Sequence, residues 1–314
     1  MTELNGINLD ELHDDHPLLN IPDVVPKRVC HIDADFLAYQ VSAFDDISID
    51  DMQHNCKTSI EKIRLLAGAE SIVLHLTPKT SDKGGRPDAA LLKEYQANRK
   101  DKPKPKYLHV MRDWMHSHLG AVYHQECEAD DGMSMEQYAA IARGEHHLSI
   151  IATADKDLTM VPGLMLNWDT GEITDIEDDF GWIKLKVMGN GTTKKVVGRG
   201  WKFFWAQMLM GDSADNISGI PKICTLKYLP KGAPKPCGPV MTMDILENVA
   251  SNKEAFEVVK EIYKDYGMAI GFKNWRDGTD VPWALAFQSE ARLLWMRRTN
   301  TIDDVIMWMK EKCL

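Results

Sequence analysis

Arg28-Val-Cys-His-Ile-Asp-Ala-Asp35 is a short apolar run that ends in two carboxylates, and the chain repeats this device. Leu148-Ser-Ile-Ile-Ala-Thr153 leads into Asp155-Lys-Asp157, and Gly120-Ala-Val-Tyr-His-Gln125 leads into Glu128-Ala-Asp-Asp131. Short apolar runs bounded by polar residues read as buried strands. Another follows at Ser71–Thr77, and helical patterns lie between them, around 51–67, 107–118 and from Glu128 to about Arg143. Strands alternating with helices through residues 1–200 predict an α/β fold with a mostly parallel central sheet flanked by helices. In such sheets ligands bind beyond the carboxyl ends of the strands. The carboxylates are therefore expected to gather along one edge.

Working outward, residues 1–26 are acidic, polar and punctuated by proline, and read as an N-terminal arm. Residues 27–200 form the predicted α/β core, with further strands at Met165–Trp168, Ile183–Val187 and Lys195–Val197 and a hairpin turn at Gly189-Asn-Gly191. Pro78–Asp88 is rich in turn formers and is expected to be an exposed, mobile loop. A helix is expected over Leu91–Arg99, broken by Lys102-Pro-Lys-Pro-Lys106, because proline disfavours helix at the residue before it. From Trp201 the chain reads as a helical region, 201–314. It opens close to a fourth acidic stretch, Gly211-Asp-Ser-Ala-Asp-Asn-Ile-Ser-Gly-Ile-Pro221.

With 314 residues, 44% of them hydrophobic, the chain can bury a large core. No apolar run approaches the roughly 18 residues of a membrane span. The start, acidic and without an apolar segment, predicts no signal peptide. Six scattered cysteines with no C-x-x-C pair suit a reducing cytoplasm and argue against a disulfide scaffold or a structural zinc site.

The four acidic stretches supply nine carboxylates: Asp33, Asp35, Glu128, Asp130, Asp131, Asp155, Asp157, Asp212 and Asp215. Taken singly, each has a plain reading as a helix cap, an acidic first turn or a polar loop. Brought together they would repel one another, and bound divalent cations would relieve that repulsion. Oxygen-only donors suit Mg²⁺ or Mn²⁺. A net charge of −10 argues against a phosphate-backbone partner. Setting the nine carboxylates aside leaves −10 + 9 = −1, which removes most of the objection. The basic residues are also grouped: Lys93, Arg99, Lys100, Lys102, Lys104 and Lys106, then Lys184 to Lys202, then Lys222, Lys227, Lys231 and Lys235. One such run is commonly a solvated face, whereas three alternating with acidic stretches suggest a track for phosphates. Trp201, Phe203, Phe204 and Trp205 read as core, and His146-His147 as exposed loop.

The ordered set of motifs resembles the flap endonuclease/5′→3′ exonuclease family, the 5′-nucleases of the PIN-like superfamily, and its phage members above all. Ile32-Asp33-Ala-Asp35-Phe-Leu37 resembles the family's opening DG-x-x-L, and Tyr95-Gln-Ala-Asn-Arg99 its Y-K-x-N-R. Glu128-Ala-Asp-Asp131 resembles E-A-D-D, and Asp155-Lys-Asp-Leu158 resembles D-K-D-L. The 211–221 stretch resembles G-D-x-x-D-N-I-x-G-I-x-G. The resemblance covers roughly residues 28–225, and the C-terminal third matches nothing.

It implies a two-metal 5′-nuclease, with Mg²⁺ or Mn²⁺, acting on DNA ends, flaps, nicks or RNA/DNA duplexes. One ion is expected on Asp33, Glu128 and Asp130, the other on Asp155, Asp157, Asp212 and Asp215, with Asp131 direct or through water and Asp35 at the margin. Arg99, helped by Arg86, is expected to neutralise the phosphate. Lys100, Lys102, Lys104, Ser218, Gly219, Ile220 and Lys222 are expected at the DNA, through backbone amides of a helix–turn–helix. The resemblance further implies a monomer in a bacterial or phage-infected cytoplasm, working beside replication proteins. Three departures stand out. Gln96 replaces the family's phosphate-binding lysine, leaving Lys93, Lys100 or another residue to substitute, or a slower reaction. Leu76-Thr-Pro-Lys79 lacks the expected acid, with Asp82 the nearest alternative. Pro221 and Cys224 break the second glycine of the 211–224 turn. The first two departures motivate a second reading, a structure-specific DNA-binding protein with weak or lost catalysis. A third reading is a haloacid-dehalogenase-like phosphatase, from Asp33-Ala-Asp35 and Gly211–Asp215.

Overall fold

Val25–Asp33 forms strand β1, at the centre of the computed structural model. The structure describes residues 21–43, 46–100, 102–189, 191–229 and 232–314, with the backbone of two short strands, Glu3–Leu4 and Ile7–Asn8. Most of the predicted arm lies outside these residues, as do Asn190 of the predicted hairpin turn and Lys231 of the third basic group.

β1 runs straight into helix α1 (Ala34–Val41), with the Asp33 carboxylate accepting the Phe36 amide at 3.0 Å as the helix cap. Helix α2 (Ile49–Leu66), capped by Ser48, leads to strand β2 (Ala69–Leu76). Helix α3 (Leu108–Leu119), short strand β3 (Val122–Tyr123), helix α4 (Ala129–Ala142) and strand β4 (Ser149–Ala152) follow. Strands β5 (Gly163–Asn167) and β6 (Glu172–Ile176) complete a six-stranded sheet of order β3-β2-β1-β4-β5-β6. All neighbours pair parallel except β6, which lies antiparallel on β5 and was not expected from the sequence. A hairpin of β7 (Trp182–Val187) and β8 (Lys194–Arg199) bridges to helix α5 (Trp201–Met210). Helices α6 (Pro239–Leu246), α7 (Asn252–Ala269), α8 (Trp283–Leu294) and α9 (Asp304–Lys312) close the chain.

Strand alternation sorts the core. Cys30, Ile32, Leu74, Leu76, Ile150 and Ala152 pack with α1, α2 and α3 on one face. Ile151 joins the larger cluster, which runs from Ala90 and Tyr95 through α5 to Cys313. Trp201, Phe204, Trp205, Trp295 and Trp308 interlock at its centre, with Trp201 and Trp295 stacked at 5.0 Å between centroids. The aromatic run after residue 200 is core, as its composition suggests.

Three expectations fail. Leu91–Arg99 is not a helix; 91–96 is irregular and only Ala97–Arg99 makes a 3₁₀ turn, with Gln96 at φ +55° just before it. Pro78–Asp88 is not uniformly exposed. It contains a turn at Lys83–Gly85 and a short helix, Arg86–Ala89, whose first residue is 1% exposed. No second helix follows directly on the 211–221 turn. Asp212 and Ile217 pair across it as an isolated bridge, Lys222–Ile223 pairs with Lys235–Pro236, and the next α-helix starts only at Pro239.

The face of the sheet under α4 holds a chain of imidazoles. His31 Nδ1 meets His75 Nε2 at 3.0 Å, and His75 Nδ1 meets His124 Nε2 at 2.9 Å. The His124 ring fills the space at Gly132, where an added Cβ would lie 2.2 Å from it. The relay therefore fixes the height of the acidic start of α4 above the sheet. Burial lowers His31 to about 4 and lowers His75 and His124 as well. A histidine lowered in the folded state disfavours folding once the unfolded chain protonates. This part of the stability is complete above pH 6.5 and is lost as pH falls toward 4. NMR titration of the ring protons should place the His31 midpoint at about 4. A midpoint at the free imidazole value would refute the buried relay.

Candidate metal centre

At the carboxyl ends of β1 and β4, Asp33, Asp35, Glu128, Asp130, Asp155 and Asp215 line one cleft of about 570 Å³. A smaller recess beside it is lined by Glu128, Asp130, Asp157, Asp212 and Asp215. Local geometry sets each carboxylate. Thr153, one residue beyond β4, donates to Asp33 at 3.2 Å and accepts from the Asp155 amide at 3.0 Å. Asp155 in turn receives the Asp157 amide at 2.9 Å, which curls Asp157 back under the site. Gln207 of α5 holds Asp157 at 2.7 Å. Tyr95 donates to Glu128 at 2.6 Å.

The Tyr95–Arg99 segment is stitched to the 212–216 loop, which explains its irregular backbone. The Gln96 amide donates to the Asp215 carbonyl at 2.8 Å, and the Asn216 side chain donates to the Glu94 carbonyl at 2.8 Å. Asn98 donates to the Ser213 carbonyl at 2.5 Å, and Arg99 to the Ala214 carbonyl at 3.0 Å. Gln96 and Asn216 both hold positive φ, of +55° and +59°. Each such non-glycine residue costs on the order of 1–2 kcal/mol, so the stitching holds strained backbone in place.

Crowding shows in the acid–base behaviour. Burial, reinforced by Asp35 and Asp155, raises Asp33 to about 7. Burial and Asp155 raise Asp157 to about 7. Asp130 is pushed well up by burial and by Asp131 and Glu128, and Asp215 is also raised by burial. Asp212 goes the other way. Its burial would raise it, but the Lys156 ammonium outweighs that and holds it low. Lys156 donates to Asp212 at 2.6 Å and to Asp157 at 3.0 Å, a cation placed between two carboxylates.

Asp157, Asp212 and Asp215 each present an oxygen within 4.8 Å of the others, an oxygen-only donor set that fits a hard divalent ion. The ammonium already lodged between two of them marks the site as one that takes positive charge. Asp33, Glu128, Asp130 and Asp155 line the neighbouring cleft, but no other group among the described residues meets the same spacing.

Four sequence expectations need correction. Asp131 is fully buried and is taken up by Arg86, at 2.8 Å, and by the Arg297 amide, at 3.3 Å, so it is an anchor rather than a ligand. Arg86 is buried with it, bonding Glu128 at 3.1 Å and the Trp295 carbonyl at 2.8 Å, and has no exposed face to offer a phosphate. Asp35 lines the cleft, but its carboxylate is paired with Arg112 and accepts the Thr77 amide at 3.0 Å. The backbone amides expected to hold DNA are spent inside the protein. Gly219 donates to the buried Glu290 at 2.7 Å and Ile220 to the Leu209 carbonyl at 2.8 Å, with Ser218 beside them also favouring the Glu290 carboxylate.

Arg99 stands at the cleft, half exposed, and pairs with Asp215 at 2.5 Å. Lys100, Lys102, Lys104 and Lys222 are exposed. Lys100 pairs with Glu94, Lys93 is exposed with its charge acting on Glu290, and Asp82 caps the Gly84 amide at 2.7 Å. Of these, only Arg99 lines the cleft. The residue that reaches Gln96 is Lys83, whose ammonium donates to the Gln96 side-chain oxygen. Nothing in the sequence singled it out, since it lies in a turn-rich run between Asp82 and Gly84.

This α/β fold is shared with solved structures of a phage protein. It matches the crystal structure of the bacteriophage T5 D15 protein with metal ions, with a TM-score of 0.50 and 12% identity, over 90% of this chain and 91% of that one. The bacteriophage T5 D15 flap endonuclease in a pseudo-enzyme–product complex with DNA and metal ions matches equally, with a TM-score of 0.50, 12% identity and the same 90% and 91% coverage. No protein-family model and no curated protein sequence matches the chain.

Proposed function

We propose that the protein is a divalent-metal-dependent 5′-nuclease, hydrolysing phosphodiester bonds at DNA ends, flaps or nicks or in RNA/DNA duplexes. The observation that carries this is the convergence of Asp33, Glu128, Asp130, Asp155, Asp157, Asp212 and Asp215 at one sheet edge. A fold shared with a flap endonuclease adds support. Two Mg²⁺ or Mn²⁺ ions held there would supply an activated water and stabilise the leaving oxygen of an in-line displacement.

The chain's own residues do the rest. Thr153, Tyr95 and Gln207 fix the carboxylates of Asp33, Glu128 and Asp157. Arg99, exchanging Asp215 for substrate, would hold a phosphate at the cleft mouth. Lys100, Lys102, Lys104 and Lys222 would contact the backbone, which positions a duplex without reading its sequence.

Incubation with 5′-flap and nicked duplexes in Mg²⁺ is expected to release short 5′ products, and EDTA to stop it. Intact DNA under conditions where the protein still binds it would sink the catalytic reading and leave a binding protein.

A further inference from the structure

We infer that Lys83 is a catalytic residue of the 5′-nuclease reaction proposed above, on which this inference rests, its ammonium contacting a non-bridging oxygen of the scissile phosphodiester. The other cations around the carboxylates are engaged. Arg86 is buried against Asp131, Glu128 and Trp295, Lys156 bridges Asp157 and Asp212, Arg112 holds Asp35, and Arg99 pairs with Asp215. Lys83 forms no ion pair among the described residues. Its ammonium meets a neutral acceptor, the Gln96 side-chain oxygen, and lies 5.8 Å from the Tyr95 ring centroid. An ammonium has three donors, so two are left for an incoming anion.

Gln96 sets where that charge sits. Its amide nitrogen donates to Asp215 at 2.9 Å and to Glu128 at 3.2 Å, which turns its oxygen toward Lys83. The ammonium thus stands one amide away from carboxylates on both sides of the cleft, and the bonds of such a chain polarise one another.

The backbone gives independent support. Among the described residues, four non-glycine positions have positive φ, and three of them, Lys83, Gln96 and Asn216, meet at this corner. Strain of this kind persists where surrounding contacts over-determine it, and it concentrates at functional sites. The Lys83 amide is pinned to the Ser81 hydroxyl at 3.1 Å, which holds the strained turn.

In the reaction, water adds to phosphorus, the bond from phosphorus to the departing nucleoside oxygen breaks, and a proton ends on that oxygen. Lys83 stays protonated throughout and contributes charge and hydrogen bonds that strengthen as the non-bridging oxygens gain charge.

Single-turnover cleavage of a 5′-flap duplex in Mg²⁺, with enzyme in excess, tests this on wild type, Lys83→Ala and Lys83→Arg. Lys83→Ala is expected to slow cleavage about 10²–10³-fold, with Lys83→Arg recovering all but about tenfold. Binding of the same duplex in Ca²⁺ and the melting temperature are expected to stay close to wild type. If Lys83→Ala misfolds, Lys83→Met, which keeps the stem, carries the same expectation. A variant that folds and cuts within about threefold of wild type overturns the inference. So does a slow rate that returns to normal at saturating enzyme, because that loss is one of binding. Wild-type protein that cuts nothing overturns both this inference and the function it rests on.

Discussion

Replacing Arg86 with leucine is expected to cost about 3–5 kcal/mol of folding stability, the loss seen when one partner of a buried ion pair is removed. Arg86 is 1% exposed and Asp131 0%, so solvent cannot take over the abandoned carboxylate. Burial alone would lower the guanidinium, but Asp131 and Glu128 outweigh it and keep it charged. The same charge holds Asp131 below its ordinary value against its own burial. Without Arg86, Asp131 keeps two backbone donors, the Glu128 amide at 3.2 Å and the Arg297 amide at 3.3 Å, and the more distant Arg297 guanidinium at 3.9 Å. The Trp295 carbonyl also loses its donor. Thermal melting should show a fall of about 5–15 °C. Arg86→Leu combined with Asp131→Leu should recover part of it, because an apolar pair in place of a buried ion pair is often neutral. A single variant that melts at the wild-type temperature would remove Arg86 from its structural role.

That role was not legible in the sequence, and the reason is physical. Arginine in a run of turn formers reads as exposed, and the partners that bury Arg86 lie 45 and 209 residues away. One of them is a backbone carbonyl, which leaves no mark on the sequence. The same holds for the whole C-terminal third. It matched no motif, yet it buttresses the site: Ser289 bonds the backbone at Ala89 and Leu91, Arg276 bonds the Pro87 and Ala90 carbonyls, and Glu290 takes the Gly219 amide. What was legible depended on periodicity. Strands such as Leu148–Thr153 are apolar, short and bounded by polar residues, and their carboxylates follow within a few positions. Gln96 was legible as an anomaly, but its solution in Lys83 was not, because the contact depends on two left-handed residues 13 positions apart.

Replacing Asp157 with asparagine is expected to move stability and activity in opposite directions. The carboxylate is raised to about 7, first by burial and then by Asp155. A group raised in the folded state favours folding fully below its unfolded value, near 3.8, and that advantage is lost as pH rises through about 7. Asp33, also at about 7, behaves the same way. In metal-free protein at pH 8 both are buried, charged and repelled, so the amide of Asp157→Asn should raise the melting temperature there, and by less at pH 5. The amide oxygen still accepts from Gln207, and Lys156 keeps Asp212. Mg²⁺ is expected to reverse the order. Binding at about 100 times the dissociation constant stabilises the wild type by roughly 2.7 kcal/mol, more at pH 8 than at pH 6, where protons compete for Asp33 and Asp157. The variant should lose most of this gain, because one of the three oxygens within 4.8 Å of one another no longer carries charge. Flap cleavage should fall by at least about 10²-fold at the same time. Melting curves with and without Mg²⁺ at the two pH values, run beside the cleavage assay, separate the outcomes. A variant less stable than wild type without metal at pH 8 would mean that Asp157 is held for structure. Opposite signs are what the proposed metal role of Asp157 requires, a carboxylate kept at the cost of the fold for an ion it would bind.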